Sequence, residues 1–211
     1  MDFEKAREEM IRYQIKGRGI KDKRVLWAMS MVPREKFVLK ENEKEAYLDC
    51  PLPLGMGQTI SQPYMVALMT QCLSLEGSEC ILEVGTGSGY QAAILSKLAK
   101  MVYTVERLKN LADRAEKIFK ELEIKNVKVV GGDGTNGLKE YSPYDGIIVT
   151  AGAPEIPQSL ISQLKERGRI VIPVGNSFSQ DLLLGKKEKG KLKIQNYGGC
   201  IFVPLLGKYG W

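Results

Sequence analysis

Leu82-Glu83-Val84-Gly85-Thr86-Gly87-Ser88-Gly89-Tyr90 is the stretch on which the reading of the chain turns. The apolar run from Cys80 to Val84 has the composition of a buried strand, and Tyr90-Gln91-Ala92-Ala93-Ile94-Leu95 opens a helical pattern. Three glycines at alternate positions lie between them. Glycine lets a backbone approach a ligand closely, and the start of a helix favours polar or negative groups. A strand, this turn and a helix therefore predict a nucleotide-type cofactor loop. The dinucleotide fingerprint places its third glycine one residue later. Glu83 also stands two residues before the first glycine. The combination points to S-adenosylmethionine rather than a nicotinamide.

Outward from this turn the chain alternates. Strands are expected at Cys80–Val84, Met101–Val105, Val127–Val130, Gly146–Val149 and Arg169–Val174. Helices are expected at Tyr90–Ala99, Leu108–Leu122 and Pro157–Leu164. That rhythm predicts an α/β fold, a doubly wound Rossmann-like sheet with right-handed crossovers. The end of the chain breaks the rhythm. Asp181-Leu182-Leu183-Leu184 and Leu192-Lys193-Ile194-Gln195 flank a turn containing Lys189-Gly190, which predicts an antiparallel hairpin. Cys200 to Leu205 reads as a last strand, with Pro204 near its end or at an edge.

The start of the chain is helical. Asp2 can cap a helix to about Gln14, and Asp22 a second one to about Met31, stopped by Pro33. Asp49 to Gln62 reads as an irregular stretch rich in Pro and Gly, of the kind that more often serves a ligand than joins domains. A helix from Pro63 to Leu73 follows. The expectation is one domain over residues 1–211, with 1–75 as an N-terminal helical and substrate-loop extension.

Composition narrows the chemistry. The chain has 211 residues and a net charge of +6, with no histidine and four cysteines, Cys50, Cys72, Cys80 and Cys200. No apolar run is long enough to span a bilayer, and Met1-Asp2-Phe3-Glu4-Lys5 does not resemble a signal peptide. The cysteines form no C-x-x-C pair, so free thiols in a reducing cytoplasm are expected, with no metal. The lysines are spread along the chain, and the densest group, Lys186 to Lys191, reads as a solvated hairpin tip. Neither nucleic acid nor membrane is expected as a partner, and a monomer is expected. Missing histidine removes the usual general base near neutral pH.

Acidic residues end successive strands. Glu106 follows the second strand and could accept hydrogen bonds from both ribose hydroxyls. Asp133, in Gly131-Gly132-Asp133-Gly134, follows the third and could accept from an adenine amino group. Each has a plainer reading: Glu106 solvated or paired with Arg107, Asp133 as a turn residue. Together they fit a cofactor site built from Glu83, Gly85, Thr86, Gly87, Ser88, Gly89, Glu106, Asp133 and Gly134.

The whole chain resembles the protein-L-isoaspartate O-methyltransferases. Gly57-Gln58-Thr59-Ile60-Ser61-Gln62-Pro63-Tyr64-Met65 is similar to the family's substrate-side loop, and Phe202-Val203-Pro204-Leu205 to its C-terminal segment. Asp145-Gly146-Ile147-Ile148-Val149-Thr150-Ala151-Gly152-Ala153 looks like its fourth strand and loop. The resemblance implies a class I methyltransferase fold and methyl transfer from S-adenosylmethionine to the α-carboxylate of isoaspartyl residues in damaged proteins and peptides. The methyl ester then closes to a succinimide, which initiates repair. It also implies that Ser61 is the active-site serine and that Thr59, Ile60, Val203 and Leu205 contact the substrate. Many members have histidine where this chain has Tyr64, and arginine is frequent where it has Ile201.

The implied reaction suits a chain without histidine. An α-carboxylate with a pKa near 3.5 is already ionised at pH 7 and needs no base. Ser61 also has a plainer reading, as the N-cap of the helix that follows it. Three other functions fit parts of the sequence: a nicotinamide oxidoreductase, a methyltransferase acting on RNA or a small molecule, and a binding module without catalysis. The glycine spacing argues against the first, and Gln58-Thr59-Ile60-Ser61 against the second.

Overall fold

In chain order the helices are α1 Phe3–Glu9, α2 Lys23–Met31, α3 Pro63–Leu73, α4 Tyr90–Ser96, α5 Lys109–Glu121 and α6 Gln158–Gln163. The strands are β1 Leu52–Gly55, β2 Gln58–Ile60, β3 Cys80–Val84, β4 Met101–Glu106, β5 Val127–Gly131, β6 Tyr144–Val149, β7 Leu164–Gly175, β8 Gln180–Glu188 and β9 Lys191–Cys200. These come from a computed structural model that describes residues 2–211. Met1, part of the charged N-terminal stretch, lies outside the described residues.

Seven strands form one sheet in the order β5-β4-β3-β6-β7-β8-β9. β3 to β7 pair in parallel, while β8 and β9 are antiparallel. The chain begins in the middle at β3, steps outward through β4 and β5, then returns to β6 on the other side of β3. The strand order reverses there, and ligands bind outside the carboxyl ends of the strands at such a reversal.

The central strands alternate between two apolar layers, as a sheet covered on both faces requires. Ile81, Val102, Ile148 and Val171 pack into the layer shared with α2 to α5. Their neighbours Leu82, Val105, Ile147 and Ile170 pack into the opposite layer with Leu160 and Leu205. In α5 the buried residues Leu111, Ala115, Ile118 and Phe119 recur at helical spacing, and polar residues cover the outer side.

Three expectations are corrected. The first helix does not run regularly to Gln14. Asp2 caps it by accepting from the Lys5 N–H, but α1 ends at Glu9 and Met10–Ile15 continue as a π-helix. Met10 and Ile15 are both fully buried, and the wider winding brings residues five apart toward one face. The second correction concerns Asp49–Gln62. Part of this stretch is a hairpin, β1 paired with β2, which buries Leu52, Leu54 and Ile60. Its turn, Gly55-Met56-Gly57, has positive φ throughout. Third, residues 201–205 do not form a strand. Val203 and Leu205 bond to Gly152, through Gly152 N–H to the Val203 carbonyl and Leu205 N–H to the Gly152 carbonyl. Pro204 between them has no N–H with which to extend a ladder.

No described helix is long and apolar enough to cross a membrane. All four cysteines are free thiols.

Candidate active site

The turn after β3 is fixed from both sides. Gly85 and Thr86 N–H groups both donate to the Val105 carbonyl at the end of β4, at 2.9 and 3.2 Å. Thr150, just past β6, donates its hydroxyl to the Gly85 carbonyl at 2.6 Å. Gly85 has φ +97°, and a Cβ there would lie 2.5 Å from Thr150 Oγ1. Gly89, with φ +87°, caps α4, and its Cβ would lie 2.9 Å from the Phe119 ring. Both positions exclude a side chain through conformation and space together. Ser88 Oγ accepts from the Tyr90 N–H at 3.1 Å. Gly85, Thr86, Gly87 and Ser88 all face a cavity at the carboxyl end of the sheet.

Glu106 lines the same cavity and is only 6% exposed. Its carboxylate accepts from the Gly87 N–H and the Leu108 N–H, each at 2.9 Å. It is therefore neither solvated nor spent on Arg107. One donor per oxygen leaves each oxygen a further lone pair.

Glu83 occupies a different place from the one its motif position suggests. It is fully buried and does not line the cavity. Thr104 Oγ1 donates to it at 2.5 Å and lies 2.7 Å from Thr86 Oγ1, so Glu83 supports the glycine turn from below. Burial pushes its carboxyl up to about 8; the Thr104 hydrogen bond opposes this and the Glu106 charge adds to it.

Asp133 sits between two residues of the wall. Gly132 and Gly134 line the cavity and Asp133 does not. Its Oδ1 accepts from the Thr135 N–H at 2.9 Å and hydroxyl at 2.7 Å, and its Oδ2 from the Lys208 N–H at 2.8 Å. Partial burial works against its ionisation, but the bonds from Lys208 and Thr135 outweigh it and hold the carboxyl below the usual range. Asp133 thus ties down the C-terminal segment, whose Leu205 and Leu206 close the cavity. Gly134 packs tightly beside it: a Cβ there would lie 2.6 Å from Val84 Cγ1.

A second cavity adjoins the first, and Thr59, Ser61, Thr150 and Val203 line both. Ile60 and Leu205 face only the first. Ser61 is not a cap: Gln62 takes that position and no side chain caps α3. The hairpin β1–β2 delivers Thr59 to Ser61 to the junction, and α3 begins two residues later. Thr150 was legible only as part of the loop that follows the strand ending at Val149. Its place at the carboxyl end of a central strand is the signal that could have singled it out. Arg18, Tyr64 and Met65 line the second cavity, and nothing in local sequence spacing connects Arg18 to Ser61.

The sheet order, the glycine turn held to the neighbouring strand and the buried acidic acceptor after β4 define a class I methyltransferase. The glycine turn that lines the cavity and the free lone pairs of Glu106 fit a nucleoside cofactor with a ribose diol. The family profile of protein-L-isoaspartate(D-aspartate) O-methyltransferase matches residues 5–210. A protein-L-isoaspartate O-methyltransferase of Petrotoga mobilis is 52% identical over the full length of both chains. One of Geobacter metallireducens is 54% identical, over 100% of this chain and 98% of that one. A solved protein-L-isoaspartate O-methyltransferase superposes with a TM-score of 0.87 at 33% identity, over 97% of this chain and 67% of the other. A Plasmodium falciparum structure described as a putative member, in complex with S-adenosyl-L-homocysteine, gives 0.83 at 26% identity, over 98% of this chain and 99% of that one. The chain belongs to the protein-L-isoaspartate O-methyltransferase family. It is an S-adenosylmethionine-dependent methyltransferase.

Proposed function

We propose that the molecule methylates the free α-carboxylate of L-isoaspartyl residues in damaged proteins and peptides, with the cofactor in the first cavity and the peptide in the second. The observation that carries this reading is the pair of cavities meeting at Thr59, Ser61, Thr150 and Val203. S-adenosylmethionine supplies the methyl group on a positively charged sulfonium. Gly85, Thr86, Gly87, Ser88 and Gly89 hold the backbone against it, and Glu106 takes the ribose hydroxyls. Asp133, with three of its four lone-pair sites used, keeps one for an adenine amino group beside Gly132 and Gly134. Glu83 acts through Thr104 and Thr86.

On the peptide side, Ser61 offers its hydroxyl to the substrate carboxylate. The first N–H groups of α3 have no partner within the helix and favour an anion. Thr59, Ile60, Val203 and Leu205 enclose the junction and exclude water. No residue need remove a proton, because the nucleophile is already ionised. Alignment and desolvation then carry the reaction. Both cavities are complete within one chain, which supports a monomer. The free thiols support a cytoplasmic setting. Nucleic acid and membrane are not partners in this reading; Lys186 and Lys193 at the hairpin tip are both paired with Glu188.

Two peptides identical but for an aspartyl or isoaspartyl link test the proposal. The isoaspartyl link displaces the carboxylate by more than an ångström, on the order of 1–2 Å, and misplacement on that scale costs roughly a hundredfold in rate. The expected result is strong methylation of the isoaspartyl peptide and little of the other. Equal rates would reject it, as would methylation of RNA with neither peptide modified.

A further inference from the structure

Arg18 is the one charged side chain in the wall of the second cavity among the described residues. It is held in a fixed plane. Its guanidinium carbon lies 3.7 Å from the centre of the Tyr64 ring, and its Nη1 donates to Asp49 Oδ2 at 2.5 Å. The side chain is nevertheless 45% exposed. Asp49 takes one of five guanidinium N–H donors, and the fork is already oriented for a second carboxylate.

Asp49 does not neutralise this corner. Arg34 is fully buried nearby; its Nε donates to the Ala46 carbonyl at 2.6 Å, and its Nη1 and Nη2 have no partner. The Asp49 charge acts on Arg34 as well, and Asp49 Oδ1 is itself buried without a partner. Burial lowers the Arg34 pKa to about 10, which still leaves it charged at neutral pH. Asp49 is thus shared between the Arg18 hydrogen bond and the field of Arg34, while Glu35, the other carboxylate of this corner, is bonded to Tyr47 rather than to Arg18.

Arg18 lines the second cavity and not the first, whereas Ser61 and Thr150 line both. It is therefore placed for a flanking part of the peptide rather than for the carboxylate that is methylated. A guanidinium on that carboxylate would also weaken it as a nucleophile. We infer that Arg18 is a specificity-determining residue that favours isoaspartyl peptides with an acidic side chain within two residues of the isoaspartyl link. This inference rests on the proposed peptide site.

The test is a set of isoaspartyl peptides with Glu, Gln or Lys at each of the two positions on either side of the link. The ratio of kcat/KM values is read within each enzyme variant, so differences in the amount of folded protein cancel. In the wild type the best-placed Glu should exceed Gln by about 3–5-fold, with Lys below Gln, and the ratio should shrink toward one at high salt. Arg18→Gln should abolish the ratio, and Arg18→Lys should retain part of it. If Arg18→Gln fails to fold, the wild-type series and its salt dependence still decide. Equal values for Glu, Gln and Lys at every position, or a preference that persists in Arg18→Gln, would overturn the inference and leave the methylation of isoaspartyl peptides standing. Failure of the wild type to methylate any of the peptides would overturn the parent reading and this inference with it.

Discussion

The proposed cofactor wall comes mainly from short turns that each follow a strand of the sheet: Gly85 to Ser88 after β3, Glu106 at the end of β4, and Gly132 and Gly134 after β5. The substrate wall gathers Arg18, Thr59, Ser61, Tyr64 and Val203 from both ends of the chain. In the first wall a ligand group sits where a strand stops, so sequence position and spatial position coincide. In the second the positions depend on how a hairpin and the C-terminal segment dock on the sheet. The backbone of the first wall is bonded to the neighbouring strand of the sheet, through Gly85 and Thr86 N–H to the Val105 carbonyl. The second is joined to the rest by the β1–β2 ladder, by the Gly152 N–H bond to the Val203 carbonyl and by side chains such as Gln62, which donates to the Asp49 carbonyl at 2.9 Å. If this division is right, damage to the first wall reads out in cofactor affinity, and damage to the second in methyl transfer at unchanged cofactor affinity.

The largest expected effect tests the second wall. Ser61→Asp places a negative charge against the substrate carboxylate and should reduce kcat/KM for an isoaspartyl peptide by roughly a hundredfold or more, through like-charge repulsion in a partly buried site. S-adenosylhomocysteine should still bind, as titration calorimetry would show. Ser61→Ala should lower activity less and leave Tm near the wild-type value, because Ser61 caps nothing. An active Asp variant would contradict the proposed contact.

On the first wall, Glu106→Gln keeps the size of the side chain but removes its charge, and puts an NH2 where an N–H must be accepted. S-adenosylhomocysteine binding should weaken by about 1–3 kcal/mol, roughly 5- to 150-fold in Kd. Unchanged affinity in a folded variant would remove Glu106 from the site.

Asp133→Asn probes both proposed roles of this residue, since Asp133 lies between the cavity-lining Gly132 and Gly134 and also holds Lys208. One weakened hydrogen bond should raise the Kd by about 3–10-fold. The segment from Leu205 onward should become more susceptible to carboxypeptidase digestion. A Kd rise without added digestion would assign the residue to adenine alone; digestion without a Kd change would make it only an anchor.

What could be read beforehand follows the same division. The parallel core was legible because Ile81, Leu82, Val102 and their neighbours show the runs of a sheet buried on both sides. Glu106 was legible because it directly ends a strand. Glu83 and Asp133 were recognised as acidic residues in the right turns, but spacing does not say which way a carboxylate points. One supports Thr104 and the other binds Lys208. The hairpin within Asp49–Gln62 was obscured by its Pro and Gly content, since its three-residue turn uses positive φ throughout. Ser61 was reached through resemblance, and Thr150 was quoted without a role. Both line a junction that exists only after the ends of the chain have docked.

The smallest effect concerns the stability of the first wall rather than its ligand. Glu83 is fully buried and its pKa is raised to about 8. In the unfolded chain it would titrate near 4.3. Between these values the folded state holds a proton that the unfolded state releases, so stability falls as pH rises from about 4.3 to about 8 and then levels off. Glu83→Gln carries no charge and can still accept from the Thr104 hydroxyl. Its Tm relative to the wild type should be higher by several degrees or more at pH 8.5 than at pH 5, flattening the pH dependence over that interval. Differential scanning fluorimetry across that range gives the answer. If the two proteins instead lose stability in parallel as pH rises, Glu83 is ionised in the fold. The glycine turn would then rest on a buried charge rather than on a neutral carboxyl group.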